Sequence, residues 1–210
     1  MNIIIIGAPG SGKGTQAKML AKHLDLYHFS TGEVFRQLVG KESKKIDEYM
    51  NKGGLVPDSV VVRTIVNFLM SKNLNDNLIL DGSPRSLYQY EKLKDFFKKN
   101  NKNINHALNI KISDEEATKR LTARRKDIKT NEIYNLITNP PGPTVKKSDL
   151  IQREDDKEEA VKERLRVQKV PHDLLLALRN DGILIEIDGE KPIDVIFEDI
   201  LKKLRKKGVK

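Results

Sequence analysis

No cysteine occurs among the 210 residues, and only 5% of them are aromatic. Without cysteine the chain can form neither a disulfide framework nor a cysteine-ligated zinc site, so a metal must come through oxygen ligands, and a reducing cytoplasmic setting is expected. The few aromatics are not interleaved with basic residues, which argues against a base-stacking platform for nucleic acid. No apolar run is long. Ile3 to Ile6 lacks a preceding basic segment, is far too short for a signal sequence or a membrane span, and leads straight into glycines. A soluble chain with no membrane partner and no specific nucleic-acid partner is therefore expected. There is no internal repeat and no low-complexity tract.

What the chain has in excess is positive charge. A formal net charge of +9 attracts nucleotides, nucleic acid and anionic membranes alike, and many lysines, such as Lys202-Lys203 and Lys206-Lys207, read as residues that merely solvate a helix face. The length fits one compact domain with inserted subdomains. Five short apolar runs read as strands: Ile3 to Ile6, Tyr27 to Phe29, Leu78 to Leu80, Ala107 to Ile112 and Ile183 to Ile187. Between them apolar residues fall at helical spacing, as in Ala17, Leu20, Ala21 and Leu24 or Val61, Val62, Ile65 and Leu69. Strands alternating with helices imply crossover connections and a mostly parallel sheet covered on both faces. Pro192 opens a terminal helix whose apolar stripe includes Ile193, Ile196, Phe197, Ile200 and Leu204.

Two stretches interrupt the alternation. The first, residues 30–59, begins with the capping-box spacing Ser30-Thr31-Gly32-Glu33 and ends in Gly53-Gly54-Leu55-Val56-Pro57-Asp58. The second, residues 123–156, lacks helical periodicity and holds Asn139-Pro140-Pro141-Gly142-Pro143, which neither a helix nor a central strand tolerates. An irregular insertion of this length in a compact enzyme commonly acts as a lid.

Gly7-Ala8-Pro9-Gly10-Ser11-Gly12-Lys13-Gly14-Thr15 follows the first strand and opens the first helix. In that context glycines let the backbone wrap closely, its N–H groups point at phosphate oxygens, and the helix N-terminus adds a favourable field. Lys13 supplies a mobile charge for the β- and γ-phosphates. The general pattern places Ser or Thr directly after the lysine, whereas here Gly14 intervenes before Thr15. Leu78-Ile79-Leu80-Asp81 is an apolar strand ending in an acid, an arrangement that lets a carboxylate reach Mg²⁺ or its water shell, although an Asp at a strand end is also a common turn residue.

The set Gly7 to Gln16, Ser30-Thr31-Gly32-Glu33-Val34-Phe35-Arg36 and Asp81-Gly82-Ser83-Pro84-Arg85 closely resembles the adenylate kinase family. Further matches are Arg124-Arg125, Tyr134, Asn139-Pro140-Pro141, Arg153-Glu154-Asp155-Asp156, Arg164-Leu165 and Asp188 to Pro192, so the resemblance spans essentially the whole chain. It implies an α/β fold of P-loop NTPase type, with a five-stranded parallel sheet, helices on both faces, an AMP-binding insertion and a lid insertion. The core would comprise residues 1–29, 60–122 and 157–210, the AMP-binding subdomain 30–59 and the lid 123–156. The implied reaction is reversible phosphoryl transfer between ATP and AMP with Mg²⁺, by a monomer.

By the same resemblance Gly10, Ser11, Gly12, Lys13, Gly14 and Thr15 bind ATP, together with Arg120, Arg124, Tyr134 and Lys191. Thr31, Arg36, Gly82, Arg85 and Gln89 are similar to AMP-site residues, with Leu55 and Val56 adding backbone and apolar contact and Arg153 and Arg164 reaching the same site. Lys13, Arg85, Arg124, Arg153 and Arg164 are implied to carry catalysis, and Asp81 to approach the Mg²⁺. Local chemistry points the same way. Arg36 and Arg85 are each expected after a strand and a loop, where a fork of N–H donors grips a phosphate. Arg120 and Arg124 stand four apart, so on a helix they would share a face and repel unless an anion lay between them.

The chain also departs from the family. Ser83 stands where Phe is usual, which loosens apolar contact near the AMP base, while Ala123 and Asn135 replace Gly and His. Where zinc-bearing members carry two Cys pairs, this chain has Asp127, Thr130, Ser148 and Asp149, which form either a polar cluster or solvated loop residues. No structural zinc is expected. Competing readings are a kinase for UMP or CMP, a kinase using GTP, and a nucleotide-dependent RNA-binding factor. Thr31, Gln89 and the long lid favour AMP over pyrimidine nucleotides.

Overall fold

A computed structural model describes residues 1–37, 44, 46, 48–49 and 54–209. Gly53 and most of residues 38–53, within the AMP-binding subdomain expected at 30–59, lie outside the described residues.

The five apolar runs form one sheet. Its strands are β1 (Asn2–Gly7), β2 (Tyr27–Ser30), β3 (Leu78–Asp81), β4 (His106–Lys111) and β8 (Leu184–Asp188), in the order β2-β3-β1-β4-β8. Every neighbouring pair is parallel, with Ile4 opposite both Leu80 and Ala107. Two strands lie on one side of β1's line of progress and two on the other, so the connections diverge at β1. In such sheets ligands bind in the crevice outside the carboxyl ends of the strands. Here Gly7, Ser30, Asp81, Lys111 and Asp188 make up that edge.

Continuous isoleucine in β1 is explained by burial on both faces. Side chains alternate along a strand, so Ile4 and Ile6 enter one core with α3 (Asp58–Ser71), α4 (Leu87–Lys99) and α7 (His172–Asn180). Ile3 and Ile5 enter the other, against Ala17 and Leu20 of α1 (Lys13–Leu24) and Ile196, Ile200 and Leu204 of α8 (Ile193–Lys206). Each such side chain, taken fully out of water, contributes about 1.5 to 3 kcal/mol. α8 starts after Pro192, as its sequence implies, and its apolar stripe is the buried one. A smaller core joins Ala117 and Leu121 of α5 (Asp114–Thr122) to Val161 and Leu165 of α6 (Glu158–Val167).

Residues 123–156 hold a second sheet that no periodicity announces. Three short antiparallel strands, β5 (Arg124–Asp127), β6 (Ile133–Asn135) and β7 (Leu150–Ile151), run in the order β6-β5-β7. Strands of two to four residues are too short to display a period of two. The proline-rich turn at 139–143 falls between β6 and β7, outside any strand.

Two local expectations are corrected. Arg120 and Arg124 share no helix face, because α5 ends at Thr122 and Arg124 begins β5. Arg36 follows no loop, since α2 (Thr31–Gln37) starts immediately after β2 and carries Arg36 in its last turn. Among the described residues no helix is long and apolar enough to cross a membrane.

Candidate active site

The loop between β1 and α1 is shaped by what its glycines must avoid. Gly7 has φ +147°, and a Cβ there would stand 2.3 Å from the carbonyl oxygen of Ile110, so only glycine fits between β1 and β4. A Cβ on Gly14 would stand 3.3 Å from Asp81 Oδ2. A side chain there would press on the Asp81 carboxylate, which would have to give by a few tenths of an ångström. α1 then begins at Lys13, leaving its first N–H groups facing the cleft.

Lys13 Nζ donates to the carbonyls of Gly7 at 2.8 Å and Ala8 at 2.7 Å, and Ser11 Oγ lies at 3.4 Å. The Lys13 side chain borders the cleft but is packed closely by protein elsewhere. Burial pushes its pKa down to about 7 against the pull of Asp81, with Arg85, Arg164 and Arg124 pushing the same way as burial. Ser11 is buried behind the loop.

A cleft of about 1020 Å³ opens along the carboxyl edge of the sheet. Gly10, Gly12, Lys13, Gly14 and Thr15 line it from the loop, and Asp81, Gly82 and Arg85 from the end of β3. Arg120, Arg124, Tyr134, Arg153, Arg164 and Lys191 complete its walls. An adjoining pocket of about 70 Å³ is bounded by Thr31, Arg36, Leu55, Val56, Ser83 and Gln89, and shares Arg36, Gly82, Arg85 and Arg164 with the cleft.

Between the two spaces the arginines crowd together. Arg124 is bound by Asp156, Arg164 donates to Asp156 Oδ1 at 3.0 Å, and Arg36 Nη2 lies 3.6 Å from Asp155 Oδ2. Arg85 donates from Nε to Gly82 O at 2.8 Å and from Nη1 to Gln168 Oε1 at 2.6 Å. Arg153 Nε is buried and has no hydrogen-bond partner among the described residues. Burial first, and the neighbouring Arg164 next, lowers the Arg85 guanidinium to about 10. Burial, then Arg124 and Arg36, lowers Arg153 to about 9. Arg36 and Arg164 are also lowered, chiefly by burial. Burial alone would raise the Asp155 carboxyl, but Arg164, Arg124 and Arg36 together hold it below its usual range. Among the described residues the carboxylates that act most strongly on Lys13 and these five arginines are Asp81, Asp155 and Asp156, with Glu33 adding to Arg36, so cations outnumber anions there. Such a surplus of buried cations is electrostatically unfavourable until anions enter, and several phosphates would supply them.

On the opposite wall Arg120 spans Glu116 Oε1, 2.7 Å from its Nε, and Gly189 O, 2.8 Å from its Nη1. Tyr134 donates to Glu132, and Lys191 stands exposed at the rim, 3.6 Å from Asp188. In the small pocket Thr31 Oγ1 and Ser83 Oγ are buried and have no partner among the described residues, beside the apolar Val56 and Val61. Of the four polar residues noted in the second insertion, Asp127 is buried and accepts from the backbone of Lys129 at 2.7 Å and Thr130 at 3.2 Å, while Asp149 accepts from Lys129 Nζ at 2.7 Å.

The sequence-predicted residues therefore converge, apart from Ser11, which backs the loop. Sequence reasoning missed Gln168, which accepts from Arg85 and donates to Gly54 O at 3.2 Å, and His28, whose Nε2 lies 3.4 Å from Asp81 Oδ2. Gln168 belongs to no local motif. His28 sits in the β2 run just ahead of Ser30-Thr31, on a strand at the edge of the sheet, and that adjacency was its one visible signal.

A family model for adenylate kinase matches residues 5–180. The adenylate kinase of Archaeoglobus fulgidus is 41% identical over 214 residues, covering 98% of this chain and 99% of that protein. That of Caldanaerobacter subterraneus is 40% identical over 212 residues, covering 97% and 96%, and that of Thermotoga maritima is 40% identical over 209 residues, covering 95% of each.

Proposed function

The chain belongs to the adenylate kinase family, whose phosphotransferases convert ATP and AMP reversibly into two ADP, and we propose how its own residues divide that work. The observation that carries the division is the band of crowded guanidinium groups between a large cleft and a small pocket. The phosphate loop and Lys13 hold the donor phosphates. Arg120, Tyr134 and the backbone near Lys191 hold the donor base, for which the bond from Arg120 to Gly189 O is support. The small pocket takes the acceptor base against Thr31, Val56 and Gln89, while Arg36 and Arg85 grip the acceptor phosphate.

Arg124, Arg153 and Arg164 face the phosphoryl group in flight. An acceptor phosphate oxygen is already anionic at neutral pH, so no general base is required, and alignment and charge neutralisation supply the rate. The buried Arg153 Nε, which has no partner among the described residues, is a donor available to that group. Residues 30–59 and 123–156 act as the acceptor-binding and lid subdomains, and their closure excludes water.

The family's chemistry generally needs a divalent metal, here Mg²⁺. Asp81, at the end of β3 beside Gly14, and the Thr15 hydroxyl are oxygen donors of the kind a hard cation or its water shell takes. When bound, the ion neutralises charge on the donor phosphates. A cytoplasmic monomer is part of the same proposal. A coupled assay with AMP, UMP, CMP or GMP as acceptor and ATP or GTP as donor tests the reading. AMP with ATP is expected to be best, and comparable kcat/KM for UMP or CMP would overturn it.

A further inference from the structure

Gln89 is buried at the first turn of α4 and lines the small pocket, yet its amide is already half engaged by the protein. Its Oε1 accepts from the backbone N–H of Arg85 at 2.8 Å. Its Nε2 donates to Asp58 Oδ1 at 2.7 Å. The second oxygen of Asp58 accepts from Ser86 Oγ at 2.6 Å, and Ser86 Oγ in turn accepts from the Gln89 backbone N–H at 3.1 Å, capping α4. Asp58 itself opens α3, so one carboxylate joins the starts of two helices.

We propose that Asp58 is a positioning residue for base selection, locking the Gln89 amide in one orientation and thereby setting the pocket against 6-oxopurines. This rests on the reading of Gln89 as a contact to the acceptor base. A backbone N–H can only donate, and an ionised carboxylate can only accept. Turning the amide over would set NH₂ against the Arg85 N–H and oxygen against the Asp58 carboxylate, two repulsive contacts in a buried place. The orientation is therefore fixed, and each amide atom keeps one unused position, an acceptor site on Oε1 and an N–H on Nε2.

An acceptor beside a donor matches the edge of adenine, where the 6-amino group donates and N1 accepts. Hypoxanthine and guanine present the reverse, an acceptor at O6 and a donor at N1. Against a freely turning amide both edges would pair, whereas against a locked one the wrong edge leaves buried polar groups opposed. Asp58 acts on the base only through Gln89.

The test is the ratio of kcat/KM for AMP to that for IMP, a 6-oxopurine monophosphate, in the full-length enzyme. A folding defect lowers both terms together and leaves the ratio unmoved. Wild type is expected to prefer AMP by on the order of 10² or more. Asp58→Asn, whose amide can oppose either end of Gln89, should narrow the ratio by about tenfold or more, chiefly by raising the IMP term. Ser86→Ala, which removes the other bond to the same carboxylate and a helix cap, should lower thermal stability without narrowing the ratio. Gln89→Leu separates the two levels of the argument. If it leaves the ratio unchanged, Gln89 does not read the base and the proposal falls with that reading. If it narrows the ratio while Asp58→Asn does not, or if Asp58→Asn lowers both terms equally, the base contact stands and the role of Asp58 is overturned.

Discussion

Arg124 grips Asp156 with two nitrogens, Nε to Oδ2 at 2.7 Å and Nη2 to Oδ1 at 2.5 Å, and Asp156 is wholly buried. Arg164 reaches the same carboxylate from α6 at 3.0 Å. One acid thus ties the start of β5 to α6, holding two of the proposed transfer-site guanidinium groups. Removing one partner of a buried pair leaves the other charge uncompensated, at a cost of about 3 to 5 kcal/mol. Asp156→Asn should lower the free energy of unfolding by that order in a urea titration. A loss under about 1 kcal/mol would mean that the pair behaves as a solvated surface contact.

Arg153→Lys should lower kcat far more than it raises either nucleotide KM. A guanidinium presents a planar fork to two phosphate oxygens, while an ammonium is a hydrated point charge. Arginines on a phosphoryl transition state are worth on the order of 10³ to 10⁵ in rate, and Lys recovers only part of that. Steady-state kinetics with both substrates varied, beside a melting curve, make the measurement. A folded variant with near-wild-type kcat would remove Arg153 from the transfer site.

Nucleotide binding should take up a proton above neutral pH. Burial holds the Lys13 pKa down at about 7, so above neutral pH the free protein increasingly carries a neutral amine there. Phosphate anions favour the charged form and raise that pKa, so the amine protonates as ATP arrives. The uptake grows as pH rises from 7 toward 8, and affinity for ATP declines over the same span. Calorimetry in two buffers of different ionisation enthalpy should show net proton uptake at pH 8, larger than at pH 7. Proton release, or no uptake, would contradict the assignment.

The purified protein should hold no stoichiometric zinc, because no cysteine is present to ligate it. Chelation should stop turnover, and added Mg²⁺ should restore it without a change in melting temperature. About one zinc per chain by elemental analysis would require an oxygen and nitrogen ligand set not foreseen here.

The phosphate loop, the five strands and the terminal helix were legible in the chain because each depends on neighbours in sequence. Ile3 to Ile6 announces a strand buried on both faces, and glycines before Lys13 announce a backbone that must wrap an anion. The second sheet was not legible, since β5, β6 and β7 are held by pairing across residues 123–156 and are too short to carry a pattern. Nor could spacing decide how the arginines meet. Arg120 and Arg124 stand four apart in sequence, yet the end of α5 sends one to Glu116 and Gly189 and the other to Asp156. The chain by itself determined which ionisable groups exist and which segments could carry them. Only the tertiary structure decided which carboxylate each guanidinium faces, and that Asp58 and the Arg85 backbone together orient Gln89. Those contacts join segments far apart in sequence, where burial and hydrogen bonding choose the partner and no local periodicity records the choice.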